Sequence, residues 1–173
     1  LQPGHPVIYV THDPLINQFR ITQQRYLNSE TNKIDSSSWF IPLNFAHSGN
    51  PDFDDVSITH YFEHGAVEKL ISTENIPEFK ADEWFVFNKQ QLGFYRVNYS
   101  LENWKKLIQV LNSENFKQIH VLNRAQIVDD ALSFAFDGHM SFDIAFGVLS
   151  YLQHETEYLP WASAINYLDR LDY

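Results

Sequence analysis

Hydrophobic and polar residues follow two different periods along this chain, and the change comes at Ser100. Before Ser100, apolar side chains alternate with polar ones in short runs, which is typical of half-buried β-strands. After Ser100, apolar side chains recur every three or four residues, the spacing of an amphipathic helix. The pattern therefore predicts strands first and helices afterwards, an α+β chain in two parts.

The predicted strands are short and are separated by turn-forming residues. They cover residues 7–11, 15–26, 39–45, 58–62, 84–87 and 94–99. Pro42 has no amide hydrogen for pairing, so its strand is expected at a sheet edge or with a bulge. Many short strands and frequent turns favour an antiparallel β-sandwich over residues 1–99. Its core is expected to bury four large rings, those of Trp39, Phe45, Trp84 and Tyr95.

Four helices are predicted after Ser100, whose hydroxyl can cap the first of them. Asn123 and Gln126 have the spacing of a capping box for the second helix. The other signals are a stop at Gly138, a cap at Ser141, a third helix running to about His154, and Pro160 in the first turn of the fourth. Four short helices joined by short loops resemble the start of a helical array over residues 100–173.

The fourth predicted helix has an apolar face that nothing later in the chain covers. This face contains Trp161, Ile165, Leu168 and Leu171. A helix inside an array packs against both of its neighbours. We therefore expect this helix either to be disordered or poorly packed, or to associate with a second copy. The start at Leu1 rather than Met likewise favours a segment of a longer protein.

Composition and charge exclude several classes of protein. The 173 residues are 44% hydrophobic and 16% aromatic, enough for one ordinary domain or two small ones with a packed core. The net charge is −10 and no basic run exceeds Lys105 and Lys106, so no nucleic-acid surface is expected. Cysteine is absent, which excludes disulfide scaffolds and cysteine nucleophiles. No stretch reaches the roughly 18 apolar residues of a membrane span.

The sharpest chemical motif runs from His60 to His64 and spells H-x-x-E-H, the inverted zinc-protease signature. That chemistry needs two imidazoles one helical turn apart, with Glu63 as the general base between them. The residues up to Phe62 have the pattern of a strand, and Gly65 follows at once. We therefore reject His60, Glu63 and His64 as a metal site and assign no catalytic, cofactor-binding or metal-binding residue to this chain.

A second group of candidates is the carboxylate pair Asp129 and Asp130, with Asp137 further along the same predicted helix. Paired carboxylates can bind a metal or share a proton. We favour the alternative, in which one lies at the surface and the other bonds Arg124 or a nearby backbone group. Arg96, between apolar neighbours, is expected to be an ion-pair partner rather than an anion-binding residue.

The sequence also contains one glycosylation sequon, Asn98-Tyr99-Ser100. Because Ser100 is the predicted helix cap at the change from strands to helices, access to Asn98 is expected to be restricted. We therefore do not favour a glycan at Asn98.

Several motifs, in order along the chain, resemble the zinc aminopeptidases of the aminopeptidase N family in the region after their catalytic domain. They are residues 2–7 (Q-x-G-x-P-V), 19–26 (F-x-L-T-Q-x-R-F), 39–43 (W-x-I-P-L), 93–99 (G-Y-Y-R-V-N-Y), 124–131 (R-A-Q-L-I-D-D-A) and 151–161 (Y-L-x-x-E-x-E-Y-L-P-W). Phe94 replaces a common Tyr, and Ser100 stands where the family usually has Asp. The resemblance covers nearly the whole chain.

The resemblance implies a non-catalytic role. The family's H-E-x-x-H zinc motif and its G-x-M-E-N amine-binding motif lie upstream, and neither occurs in this chain. What is present resembles the β-sandwich spacer and the first helices of a curved array that closes over the active site. The implied cofactor is zinc in the catalytic domain, with none in this segment. The implied partners are that domain, the remaining C-terminal helices and the peptide substrate, at the plasma membrane or outside the cell, with a cytoplasmic location still open.

Two alternatives to this reading stay open. One is an independent module that binds a protein or peptide through the strands or the helices. The other is a small metallopeptidase that uses His60, Glu63 and His64. The start of the chain and its uncovered last helix favour the aminopeptidase segment over the independent module, and metal analysis separates the metallopeptidase from both.

Overall fold

The computed structural model describes residues 4–26 and 37–168. Of Leu168 it describes the backbone only. Within these ranges, eight strands precede four α-helices. The strands are β1 (His5–Asp13), β2 (Gln18–Tyr26), β3 (Ile41–Leu43), β4 (Phe45–His47), β5 (His60–Phe62), β6 (Lys69–Ser72), β7 (Phe85–Phe87) and β8 (Arg96–Tyr99). The helices are α1 (Leu101–Leu111), α2 (Val121–Phe136), α3 (Phe142–Leu149) and α4 (Tyr158–Leu168). Short 3-10 turns occupy Lys89–Gln91, Phe116–Gln118 and Ser150–His154.

The largest sheet has four strands in the order β6-β2-β1-β8. β1 and β2 form an antiparallel hairpin, in which His5 pairs with Tyr26 and Asp13 with Gln18. β8 lies on the other side of β1 and runs parallel to it. The sheet is therefore mixed, and the prediction of purely antiparallel pairing is wrong at this edge. A long connection separates the two strands, so β8 can return in the direction of β1 and lead directly into α1.

Two small sheets, β3 with β5 and β4 with β7, complete the strand part. Pro42 lies in β3, which in the described part of the chain pairs with β5 alone, so its expected edge position is confirmed. β6 was not predicted. Its run is only four residues long and contains two apolar side chains, of which Ile71 is buried and Leu70 is largely exposed.

One apolar core runs through the strands and the helices. At its centre in the sheets, the ring centroid of Phe19 lies 4.7–5.4 Å from those of Phe45, Phe85 and Phe87. Trp84 and Tyr95 are buried as predicted, whereas Trp39 and Phe45 are half-buried against the core. Because this core is shared, the division into domains 1–99 and 100–173 stays a prediction, although the change from strands to helices at Ser100 is confirmed.

Local capping sets the starts of the first two helices. Ser100 Oγ accepts a hydrogen bond from Asn103 N at 3.5 Å and caps α1, as predicted. α2 begins at Val121, where His120 Nδ1 accepts from Leu122 N at 3.2 Å.

The predicted capping box of Asn123 and Gln126 is wrong, because both residues lie inside α2 rather than ahead of it. The Asn123 side chain donates to Gln126 Oε1 at 2.8 Å and to the carbonyl of Asn88 at 2.9 Å. The expected stop after α2 is confirmed, since Gly138 has a φ of +73° just beyond the helix.

The third helix is shorter than predicted. Ser141 caps it, since its Oγ accepts a backbone N–H of the first turn at 3.2 Å, but α3 ends at Leu149. The chain then tightens into a 3-10 turn, after which Glu155 is extended and held by an ion pair with Arg124. Pro160 lies in the first turn of α4, as predicted.

α4 packs along α2. Ala164 is fully buried, and the ring of Tyr167 stacks on that of Phe136 with centroids 5.8 Å apart. Trp161 and Ile165 remain 39% and 49% exposed. α4 therefore covers α2 with one side and leaves large apolar side chains accessible on another.

We expect this accessible face of α4 to associate with a second copy when the chain is studied alone. Replacing Trp161 and Ile165 with Gln should remove a concentration-dependent rise in sedimentation coefficient, because burying each large apolar side chain contributes about 1.5–3 kcal/mol. Val67→Gln, at an exposed site in the strand part, is the matched control. A chain that stays monomeric with an α4 well protected from hydrogen exchange would contradict this. The Leu168 side chain and Leu171 lie outside the described residues.

Candidate functional site

The H-x-x-E-H motif lies at a strand and the turn that follows it, not on a helix. His60 begins β5, and its Nδ1 is 3.0 Å from Thr59 Oγ1. Glu63 and His64 are exposed, and Glu63 accepts from Lys69 Nζ at 3.2 Å. In residues 4–26 and 37–168, no three His, Cys, Asp or Glu side chains are grouped so as to hold a metal ion. The strand setting is confirmed, while the rejection of zinc at this motif stays a prediction.

Three charged residues meet where β8 faces α2, and we call Arg96, Asp129 and Asp130 the junction cluster. Arg96 is the first residue of β8, and its Nη1 donates to Asp130 Oδ1 at 2.8 Å and also to Asp129 Oδ2. The other carboxylate oxygen of Asp130 accepts from the backbone N–H of Val97 at 3.0 Å. The cluster therefore connects the edge strand of the main sheet to the second helix.

The structure confirms Arg96 as an ion-pair partner but corrects the pairing of the helix carboxylates. The expectation was that one carboxylate bonds Arg124 or a nearby backbone group. Arg124 pairs with Glu155 instead, whereas Asp130 does accept a hydrogen bond from a backbone N–H, that of Val97. Asp130 is buried and Asp129 is partly exposed, so the expected division between a buried and a surface carboxylate holds. Neighbouring helix positions point in different directions, yet both carboxylates reach the same nitrogen of Arg96, Nη1.

A second layer surrounds the cluster. The ring of Tyr26 lies against Arg96, with the guanidinium carbon 5.4 Å from the ring centroid. Tyr26 Oη hydrogen-bonds with both Ser133 and Asp137, so Asp137 contacts β2 and does not join the carboxylate pair. Tyr167 Oη accepts from Arg96 Nη2 at 3.4 Å. β2, β8, α2 and α4 thus meet at one polar joint.

Burial determines the electrostatics of this joint. It raises the pKa of Asp130 to about 7, against the guanidinium of Arg96 and the N–H of Val97, which lower it. Burial also opposes the charge of Arg96, but the two carboxylates outweigh it and raise the pKa of Arg96. A permanent cation therefore lies beside a buried carboxylate, and its presence is what makes burial of that carboxylate possible.

A second buried ion pair fixes the approach to α4. Arg124 Nε and Nη2 bind the two oxygens of Glu155 at 2.7 and 3.1 Å, and Nη1 donates to the carbonyl of Ile119 at 2.7 Å. The guanidinium carbon lies 5.2 Å from the ring centroid of Phe116. Burial raises the pKa of Glu155, but Arg124 and two backbone N–H groups bring it below its ordinary value. This bidentate pair ties α2 to the chain just before α4.

A set of buried amides, missed in the sequence prediction, fixes the turn between β7 and β8. We call Asn44, Asn88 and Asn123 the amide network, and all three are buried. Asn44 and Asn123 each accept a backbone N–H of Lys89–Gln91, at 2.8 and 2.7 Å. Asn88 donates to the carbonyl of Gly93 at 2.9 Å and accepts from its N–H at 2.8 Å. The turn is therefore bonded to Gly93 just ahead of β8, to the α2 helix and to the residue between β3 and β4.

The same turn has a strained backbone. Asn88, Gln90 and Gln91 have φ of +64°, +52° and +56°, in the left-handed region that side chains disfavour. Such residues cost about 1–3 kcal/mol each and persist only where other contacts hold them. The amide network supplies those contacts. Its signal in the sequence is the presence of asparagines within or beside apolar runs, since buried amides need partners.

The sequon at Asn98 is closed by packing. Asn98 is buried, and its Oδ1 accepts from Trp104 Nε1 at 2.8 Å and from the N–H of Tyr99 at 2.9 Å. A glycan would be attached to Nδ2 of this side chain, which is buried among the packed residues of the joint. The geometry therefore agrees with the expectation of restricted access.

The family model described as ERAP1-like C-terminal domain matches residues 84–173 of this chain. The match begins at Trp84, so it includes β7, the strained turn and β8 together with the four helices. Both sides of the junction cluster therefore lie within the matched region.

Relatives are similar over almost the whole chain. Aminopeptidase N of Plutella xylostella is 38% identical over 172 residues, which are 97% of this chain and 18% of the relative. Membrane alanyl aminopeptidase of Heliothis virescens is 38% identical over 164 residues, 95% of this chain and 16% of the relative. The thyrotropin-releasing hormone-degrading ectoenzyme of Homo sapiens is 32% identical over 186 residues, 99% of this chain and 16% of the relative. The chain thus spans about one-sixth of the length of these relatives.

We expect Arg96→Gln to lower the free energy of unfolding by about 3–5 kcal/mol at pH 8, because it leaves Asp130 buried without its cation. The loss should be smaller at pH 5. Without the guanidinium, burial keeps the pKa of Asp130 well above its value in the unfolded chain, so the folded variant gains a proton at low pH and loses stability as the pH rises through that pKa. Denaturant unfolding at both pH values measures this.

Arg20→Gln is the matched control for this experiment. Arg20 pairs with Glu68 at 3.4 Å on the surface, where an ion pair contributes no more than about 1 kcal/mol. The double variant Arg96→Gln/Asp130→Asn should recover part of the loss, because no buried charge then remains unpaired. Equal losses for Arg96→Gln and Arg20→Gln, or a loss that is the same at both pH values, would contradict the role given to the junction cluster.

Proposed function

Since the chain belongs to the ERAP1-like C-terminal domain family, we propose that it is a non-catalytic part of an aminopeptidase. The observation that carries the proposal is the coverage of the relatives. The alignments include 95–99% of this chain but only 16–18% of three aminopeptidase or ectoenzyme relatives. Most of each relative lies outside the aligned region, which leaves ample length for a catalytic domain elsewhere in the longer protein.

We further propose that the strands act as a β-sandwich spacer and the helices as the first units of a helical array that covers the catalytic domain. The order of strands before helices supports this division near residue 100. The junction cluster and the amide network support the role of the helices as a cap, because they bond α2 directly to β8 and to the turn before it. A cap can shape the access of peptides only if it is held rigidly, and these contacts hold the helices against the strands.

The zinc of the family belongs, in this proposal, to the catalytic domain of the longer protein. Neither H-E-x-x-H nor G-x-M-E-N occurs in this sequence. The proposed partners are the catalytic domain, the peptide substrate and further C-terminal helices. The proposed location is the plasma membrane or the extracellular side, since two relatives are described as a membrane aminopeptidase and an ectoenzyme. Among the helices that the structure describes, none combines the length and apolar character needed to cross a membrane.

A second candidate function is an independent module that binds a protein or peptide. Exposed large apolar side chains on the strand part, such as Phe94, favour it as a binding surface. The two candidates differ in one property. An independent module would act without a catalytic domain on the same polypeptide, whereas the proposed spacer and cap would affect only the reaction of the longer protein.

We expect the purified chain neither to hold zinc at one ion per chain nor to release amino acids from aminoacyl amides, because it lacks the zinc and amine-binding motifs. Elemental analysis and a chromogenic aminoacyl substrate measure these two properties. Equimolar zinc that is lost on changing His60 and His64 to Ala, but kept with the exposed control His154→Ala, would establish a metal site at the rejected motif and overturn the prediction.

In the longer protein, we expect Arg96→Gln to change kcat/KM for peptides much more than for a small aminoacyl amide. The variant loosens the joint that orients the helices, and only a long substrate extends far enough to contact a cap. The surface control Arg20→Gln should change neither value. Parallel changes for both substrates, with the amount of folded enzyme matched by active-site titration, would show that the helices do not shape access.

A further inference from the structure

A group of exposed apolar side chains lies on one side of the strand part, and we call Phe40, Tyr61, Leu92 and Phe94 the aromatic patch. Their exposed fractions are 59%, 45%, 54% and 87%. Phe40 and Tyr61 stack with ring centroids 4.9 Å apart, and Phe40, Leu92 and Phe94 line one groove of about 430 Å³. Large apolar side chains grouped on a surface mark a site of interaction.

The backbone on either side of Phe94 is fixed. Gly93, before it, has its N–H and carbonyl both bonded by Asn88. Tyr95, after it, is buried and donates from its Oη to the carbonyl of Pro42 at 3.0 Å. The backbone position of Phe94 is therefore held by the amide network and by the burial of Tyr95, and it places the Phe94 side chain at the surface.

Phe40 is presented in the same way. The N–H and carbonyl of Trp39 are both bonded by the side chain of Gln23, at 2.8 and 3.1 Å. Ile41, on the other side, is buried in β3. Because the backbone that carries these side chains is already bonded in place, little backbone conformational entropy is lost when the patch binds.

The groove is apolar although the whole chain is acidic. Its lining contains no Asp, Glu, Lys or Arg, while the net charge of the chain is −10. Burial and the nearby Arg96 lower the pKa of His5 in its wall, which favours the uncharged imidazole. These features fit an apolar protein surface. They do not fit a basic partner, and the acidic chain would be repelled by an anionic membrane.

We infer that the aromatic patch docks an apolar face of the polypeptide that precedes this region in the longer aminopeptidase, an inference that rests on the proposed function. The chain spans 16–18% of its relatives, so more than four-fifths of each relative lies outside the aligned region. The family is described as a C-terminal domain, which favours polypeptide ahead of this region. Gly4 and the first two residues of β1 line the same groove, so the start of β1 lies beside the patch.

The test compares Phe40→Ser/Phe94→Ser in this chain and in the longer protein. Alone, the variant chain should keep its unfolding midpoint, because both side chains are exposed. In the longer protein, protease cleavage just ahead of residue 4 should become about tenfold faster, since weaker docking raises the population of the open form. Thermal unfolding should also separate into two transitions. Val67→Ser, at a site 88% exposed outside the patch, should change neither property.

The inference would be overturned if the double substitution left the cleavage rate of the longer protein unchanged and its thermal unfolding still showed a single transition. A self-association of the isolated chain that these substitutions abolish would also overturn it, because the patch would then bind a second copy. If the double variant lowers the midpoint of the chain alone, Tyr61→Ser/Leu92→Asn repeats the test at the other two positions. Failure here leaves the proposed function intact, since that proposal fails separately if the isolated chain holds zinc and releases amino acids.

Discussion

The structure depends on a single guanidinium, that of Arg96, which lies between the strand part and the helical part of the chain. Arg96 opens the strand β8, and its charge is matched by two consecutive carboxylates of α2, one of them buried. A buried carboxylate is a large cost unless a cation and further donors accompany it. Arg96 and the N–H of Val97 supply both, so β8 and α2 cannot separate without leaving Asp130 unpaired. The apolar core stabilises the contact between β8 and α2, and the ion pair fixes which residues meet there.

Other polar contacts extend the same principle along α2. The amide network bonds the first turn of α2 to the strained segment Lys89–Gln91. The ion pair of Arg124 and Glu155 bonds the same first turn of α2 to the chain before α4. Tyr26 and Tyr167 add contacts from β2 and α4. α2 is therefore bonded or packed against β2, β8, the strained turn, α3, α4 and the chain just before α4. Its buried polar residues hold strands and helices in one arrangement, a property that apolar packing alone provides less strictly.

The sequence was most informative where one side chain decides the outcome locally. The change of period at Ser100, the cap by that residue and the stop at Gly138 depend on neighbouring residues, and all are confirmed. The ion-pair role of Arg96 also followed, because a charge between apolar neighbours needs a partner. What could not be predicted depends on long-range geometry: the parallel pairing of β8, the choice of Arg96 over Arg124 by the carboxylates, and the buried amide of Asn123. The short strand β6 had too few apolar residues to give a period.

The pairing of β8 with β1 has a consequence for folding during synthesis. β1 emerges from the ribosome first and pairs at once with β2, but its other edge belongs to β8, more than eighty residues later. At about 5–20 residues per second, that edge stays open for roughly 4–17 s of synthesis. Unpaired strand edges invite pairing with the wrong chain. The β1–β2 hairpin therefore keeps one unpaired edge until β8 has been translated. The junction cluster can form only after α2 has been translated as well.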